Sequence, residues 1–168
     1  SVLFARCANA AGTGTWTITN VESVGDTPET VLFPLTSGRP AIGYFHSLDS
    51  DAKLAVNANS SGTGAWTLHV ADAGTGGRVG ATLDAASVQG KPAVTYWDRD
   101  LHRVFFARNA SADGSGSWTI APVADGEESS GSYPCPLAVV NGVPMVVLRG
   151  RDTPLLLARN TAADGSGA

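Results

Sequence analysis

The side chains of this 168-residue chain that are equipped for chemistry gather in short polar stretches that follow apolar runs. Three of them read Phe45-His46-Ser47-Leu48-Asp49-Ser50-Asp51, Trp97-Asp98-Arg99-Asp100-Leu101-His102-Arg103 and Arg149-Gly150-Arg151-Asp152. An aromatic ring beside aspartate and arginine suits a sugar, which offers an apolar face edged by hydroxyls. Tyr44, His46, Tyr96, Trp97, Asp98, Arg99, Arg149 and Arg151 are therefore the candidate ligand-binding residues, although Tyr44 and Tyr96 read more simply as core. Glycoside hydrolysis needs two carboxylates roughly 5–10 Å apart. The four glutamates, Glu22, Glu29, Glu127 and Glu128, all fall in expected connecting loops. His46, His69 and His102 are isolated, without the paired spacing of a zinc site, and His69 reads as outward-facing. Asp49 with Asp51, and Asp98 with Asp100, offer oxygens to calcium, but their neighbouring basic residues suit solvated loops. No phosphate-cradling glycine motif or nucleophile elbow is present, so no cofactor and no metal are expected.

Composition narrows the partners. A net charge of −4 with lysine only at 53 and 91 argues against nucleic acid and anionic membranes, which are bound through Lys/Arg clusters. No apolar run approaches the ~20 residues of a membrane-spanning helix. Cys7 and Cys135 lie in different parts of different repeats and read as two free thiols, leaving the redox compartment open.

The elements that must position these residues follow from an internal repeat. Trp16, Trp66 and Trp118 each open Trp-Thr-Ile/Leu, and each follows Gly-x-Gly at 12–14, 62–64 and 114–116. A second mark, the glycine-led apolar runs at Gly38, Gly90 and Gly142, recurs every 52 residues. A repeat of this length signals a propeller, solenoid or array. Each unit reads as four short strands. A first strand ends near Leu35, Val88 or Val140, and a tight turn (Asn141-Gly142 is the strongest signal) leads to the second. That second strand is apolar at nearly every position, as expected when both faces are covered. A third strand, a Gly-rich turn and a half-exposed Trp strand complete the unit. No helical periodicity of useful length appears.

The expected fold is all-β: a β-propeller of four-stranded antiparallel blades, one partial propeller spanning residues 1–168. Its units run approximately 1–20 (third and fourth strands), 30–70, 80–123 and 133–168 (lacking the last strand), about three blades plus a surplus strand.

The turn Ser111-Ala112-Asp113-Gly114-Ser115-Gly116-Ser117-Trp118 resembles the Asp-box of sialidase-type propellers, Ser-x-Asp-x-Gly-x-Thr-Trp, at the same place in a blade. Its last glycine falls one residue late and Ser117 replaces threonine. Asp164 repeats the aspartate, whereas the first two copies carry Ala11 and Ser61 there. The resemblance implies that Asp113 and Asp164 are structural turn residues, and that the second-to-third strand loops share the opposite, functional face. It also favours a secreted or cell-surface protein. Sialidases use three arginines and a Tyr/Glu pair with an acid aspartate, and here the corresponding arginine pattern is represented only by Arg39.

These readings converge on a non-catalytic binding or interaction module, with a glycan as leading ligand. The alternatives are a piece of a sialidase-like glycoside hydrolase or a purely structural repeat segment. The unfinished repeat predicts either a homo-oligomer or further blades in a longer chain. A dimer is favoured, giving about six blades with the N-terminal Trp strand of one copy completing the last blade of the other.

Overall fold

The computed structural model describes residues 1–25, 29–74, 79–123, 135–149 and 155–167, with 79–81 and 149 as backbone only. These residues form thirteen strands and no helix. In order they are β1 (Val2–Cys7), β2 (Trp16–Glu22), β3 (Thr30–Pro34), β4 (Pro40–His46), β5 (Asp51–Asn57), β6 (Trp66–Asp72) and β7 (Val79–Val88). There follow β8 (Lys91–Asp98), β9 (Arg103–Asn109), β10 (Trp118–Pro122), β11 (Leu137–Val140), β12 (Val143–Arg149) and β13 (Leu155–Arg159).

Strands consecutive in sequence pair antiparallel into four sheets: β1-β2, β3-β4-β5-β6, β7-β8-β9-β10 and β11-β12-β13. The Trp strand takes the same register each time, with Cys7 opposite Trp16, Asn57 opposite Trp66 and Asn109 opposite Trp118. The hairpins differ in a way their residues dictate. Gln89-Gly90 and Asn141-Gly142 both hold two successive positive φ angles, as a two-residue type I′ turn requires. At Ser37-Gly38 only the glycine is left-handed, and Leu35 N donates to Arg39 O across a three-residue loop.

The sheets pack face on face in chain order. One apolar cluster joins the first two sheets through Val2, Phe4, Ile42, Tyr44 and Ala55. A larger one lies between the second and third (Phe33, Leu54, Val56, Leu83, Val94, Tyr96), and another between the third and fourth (Trp97, Val104, Phe106, Leu137, Val146, Leu148). Strands β4, β5 and β8 are thus covered on both faces, which explains their near-complete burial and the lack of apolar–polar alternation in β4 and β8. Gly43 marks a close approach of strand to strand: a Cβ there would lie 2.8 Å from Ala85 Cβ on the next sheet.

The Gly-rich turns fix how one sheet sits on the next. An asparagine at or just past the end of the third strand of the later units, buried at Asn57 and Asn109 and half-buried at Asn160, organises the turn. Asn109 Nδ2 donates to Gly114 O (3.0 Å) and Gly116 O (2.8 Å), while its Oδ1 accepts from Ser111 N and Gly116 N. Asn160 repeats all four bonds on Gly165, Gly167 and Ala162. In the first unit Cys7 occupies this place, and Asn9 Oδ1 accepts from Thr13 N and Gly14 N instead.

The turn so held presents a left-handed glycine to the preceding sheet. A Cβ on Gly62 would meet Phe4 at 3.0 Å, one on Gly114 would meet Leu54 at 2.9 Å, and one on Gly165 would meet Phe106 at 2.4 Å. Phe4, Leu54 and Phe106 are the same position of the repeat. Gly12, the matching residue of the first turn, has nothing within 4 Å of such an atom. Gly114→Ala is therefore expected to lower stability by about 2–3 kcal/mol, combining backbone strain with overpacking. Gly12→Ala should cost only the strain term, about 1 kcal/mol, and paired denaturant unfolding curves would read the difference.

Candidate functional site

The strands carry the polar stretches to one end of the stack, opposite the Gly-rich turns. There the Trp strands end in carboxylates that bond buried tyrosines of the next sheet. Tyr44 donates its hydroxyl to Glu22 Oε2 at 2.5 Å, and Tyr96 donates to Asp72 Oδ2 at 2.6 Å. Both tyrosines are 0 % exposed. Burial, then the hydrogen bond and charge of the carboxylate, pushes both phenols well above the usual tyrosine range. Glu22 and Asp72 are the last residues of β2 and β6, so Glu22 is not a member of the connecting loop where the sequence pattern put it.

Between the first two sheets the pair grows into a charged network. Lys53 Nζ donates to Glu22 Oε1 (3.2 Å) and to Asp49 Oδ2 (3.0 Å). His46 Nε2 lies 3.6 Å from Glu22 Oε1, and its Nδ1 lies 3.1 Å from Asp49 Oδ2 and accepts the Asp49 amide. Burial pulls the Lys53 ammonium down, but its hydrogen bonds to Asp49 and Glu22 outweigh this and hold it above the ordinary lysine range. Asp49 is lowered by its bond to Lys53, while burial raises neighbouring Asp51. In the next unit Phe105 stands where Lys53 does and stacks on Tyr96 at 5.8 Å. The tyrosine–carboxylate pair is thus common to both units, and the charge cluster belongs to one.

The structure separates the sequence candidates. Tyr44, His46, Tyr96, Trp97 and Asp98 are buried and Arg99 is exposed. Trp97, at 3 % exposure, packs in the cluster between the third and fourth sheets, edge-on to His102 at 6.0 Å. It presents no open ring to a sugar, because β8 is covered on both faces to its end. Asp98 is spent on its own loop, with Oδ1 accepting from Asp100 N (2.9 Å) and Leu101 N (2.8 Å). The accessible groups at this end include Asp49, Arg99, Asp100, His102 and the apolar Leu48 and Leu101. The backbone of Arg149 ends β12, whereas Arg151, Glu127 and Glu128 lie outside the described residues.

Asp113 and Asp164 sit at the other end. Asp113 Oδ1 accepts from Ser115 Oγ (2.7 Å) and Ser115 N (3.1 Å), and Asp164 does the same with Ser166 (2.6 and 3.0 Å). These bonds hold both carboxyls below the usual aspartate range. His69 is half-buried and faces the Gly114 turn rather than solvent, and burial lowers its pKa. Cys7 and Cys135 are free thiols; Cys135 is buried, which pushes it up to about 11. Among the described residues no group of three or more His, Cys, Asp or Glu side chains is placed to hold a metal ion.

A fixed offset was the overlooked signal for the tyrosine–carboxylate pairs. An acid stands six residues after Trp16 and Trp66, and a tyrosine six residues after Gly38 and Gly90. In the third copy both are lost together, with Ala124 and Leu148 at those positions. No family model and no curated protein sequence matches the chain.

Because Tyr44 and Tyr96 ionise harder folded than unfolded, the stability they confer is complete below about pH 10 and falls as pH rises beyond it. Alkaline titration followed by tyrosinate absorbance and circular dichroism should show these two phenols ionising only as the strands unfold. Ionisation of both ahead of unfolding would contradict the buried pairing.

Proposed function

We propose that the stacked sheets are blades of a β-propeller resembling the sialidase Asp-box type, and that the protein is a non-catalytic binding module with a glycan as its ligand. Its ring is completed by self-association or by further blades. One observation carries the non-catalytic part: the tyrosine–carboxylate pair occurs twice, in successive units, with the tyrosine fully buried and the carboxylate half-buried both times. A nucleophilic tyrosine needs substrate at its oxygen and a lowered, not raised, barrier to ionisation. A pair that repeats with the architecture and keeps its phenol out of solvent fastens one sheet to the next.

Binding is then left to the loops 46–51 and 98–103, which emerge at the same end of neighbouring sheets. They combine exposed Asp49, Arg99 and Asp100 with the apolar surfaces of Leu48 and Leu101. Such a mixture suits sugar hydroxyls and ring carbons, and repetition of weak sites around a ring suits repetitive glycans.

Screening the chain against a glycan array, then titrating Arg99→Ala and Asp100→Ala, tests this reading. Each substitution should weaken binding by about tenfold, or 1.4 kcal/mol, with an unchanged thermal midpoint. Silence across the array would leave a structural repeat segment. Turnover of fluorogenic glycosides that Tyr44→Phe abolishes would replace the reading with a hydrolase.

A further inference from the structure

We infer that loop 46–51 is a proton-operated latch: when His46 takes up a proton, its Nδ1 stops accepting the Asp49 amide and donates to the Asp49 carboxylate instead. Backbone and rim acid then change partners together. The inference rests on the proposed function, which gives this loop to the ligand face, and adds that the ligand is held less tightly in acid.

One atom carries the argument. His46 Nδ1 lies 3.2 Å from Asp49 N, whose proton it accepts, and 3.1 Å from Asp49 Oδ2. A ring nitrogen is either a lone-pair acceptor or an N–H donor, so only one of these contacts is a hydrogen bond at a time. With the imidazole neutral the amide bond is made, which places the ring proton on Nε2, facing Glu22 Oε1 at 3.6 Å. A second proton, on Nδ1, deprives the amide of its acceptor and gives the carboxylate a donor.

The groups around the ring provide for that proton. Glu22 of β2, Asp49 of the loop, and Lys53 and Asp51 of β5 surround it. Lys53 Nζ shares Glu22 Oε1 and Asp49 Oδ2 with the two ring nitrogens, so lysine and histidine bridge the same pair of oxygens. Two carboxylates there meet one ammonium, and a protonated ring supplies the second positive charge. Asp51, opposite His46 in the β4–β5 ladder, adds negative charge when ionised; burial raises its pKa, as does the charge of Asp72 on β6. Tyr44, on the far oxygen of Glu22, stays a neutral phenol. The bond from Lys53 lowers the Asp49 carboxyl, which keeps it ionised while the ring titrates. Because His46 is buried and the Asp49 side chain is 54 % exposed, a proton taken up inside is reported at the rim. A carboxylate claimed by both lysine and imidazolium has less to offer a sugar hydroxyl.

The next unit shows the same loop without the latch. Asp98 stands 52 residues after His46, and its Oδ1 accepts the amide three residues on, Leu101 N, at 2.8 Å. The two loops also share a left-handed residue at one position, Ser50 and His102. The cap at 98 is a carboxylate oxygen, and residue 101 carries no acid to compete for it. Only the earlier unit couples its loop cap to an imidazole proton.

The test begins without a ligand. Isotope-labelled chain is titrated from about pH 8 to about pH 5, where histidine ordinarily changes charge, while magnetic resonance follows the ring nitrogens and the Asp49 and Leu101 amides. At the start His46 should carry its proton on Nε2. The Asp49 amide should then shift with the ring's own midpoint. Its hydrogen exchange, corrected for pH, should quicken about tenfold, with Leu101 unchanged. His46→Asn keeps an acceptor but no titrating ring, so its Asp49 amide should stay protected throughout. If that variant does not fold, Leu101 of the wild type supplies the comparison. A proton on Nδ1 at neutral pH, an Asp49 amide indifferent to the ring, or a ring that stays neutral until acid unfolding would overturn the inference.

Any glycan found on the array is then titrated at about pH 7.5 and about pH 5.5, and wild-type affinity should fall about tenfold in acid while that of His46→Asn holds. Equal wild-type affinity at the two values would overturn the regulatory part. A latch seen by resonance with no glycan bound at either pH would uphold the switch and remove the proposed function, so the two failures are distinguishable.

Discussion

Everything in this structure depends on burying β4, β5 and β8 on both faces. An antiparallel sheet with one wet face needs alternating side chains, but these strands bury nearly every position, polar Lys53, Asn57 and Thr95 included. They are stable only with another sheet on either side, so the layers stabilise one another in series. The close approach this requires is set by small groups at defined points. Gly43 lies against Ala85, and the left-handed glycines of the turns lie against Phe4, Leu54 and Phe106. A side chain at any of these points would hold two sheets apart along their whole contact.

Such tight layers leave few places for polar atoms, and the repeat solves this in the same way in successive units. Asn57, Asn109 and Asn160 replace the missing turn ladder with side-chain bonds, which matters because an unpaired buried amide costs about 1–3 kcal/mol. At the other end Tyr44 and Tyr96 bring a phenol to the rim of the core and meet a carboxylate from the preceding sheet. The bond ties adjacent layers at the end where no glycine turn does so. Where the tyrosine is absent, Leu148 keeps the packing and the sequence supplies alanine in place of the acid.

This division of labour shapes the functional reading. Tyr44, Tyr96, Glu22 and Asp72 tie adjacent layers, and Trp97 is packed between two of them. What remains accessible is the rim: loops whose left-handed residues, Ser50 and His102, occupy the same position in two units but whose side chains differ. Lys53 draws Glu22, Asp49 and His46 into one network, whereas Phe105 at the same position stacks on a tyrosine. Equivalent loops on a common frame have thus diverged, which suits recognition at the rim more than a shared chemical step.

The sequence by itself determined the strands, their antiparallel order within four units and the turns that join them. These depend on local rules: Asn-Gly and Gly-x-Gly fix turns, apolar runs of strand length fix strands, and a repeat of 52 residues repeats the result. It also marked the strands covered on both faces, since burial on both sides removes alternation. Tertiary structure alone decided which apolar and aromatic residues are sealed. Trp97 looks like a platform beside charged neighbours, yet the next sheet closes over it. It also decided that Glu22 and Asp72 serve tyrosines rather than loops, because strand β2 meets β4, and β6 meets β8, only once the sheets stack. Contacts between layers join residues more than twenty positions apart through surfaces that no single unit contains; the spacing repeats the partners along the chain, but only the stacking of the sheets brings them together.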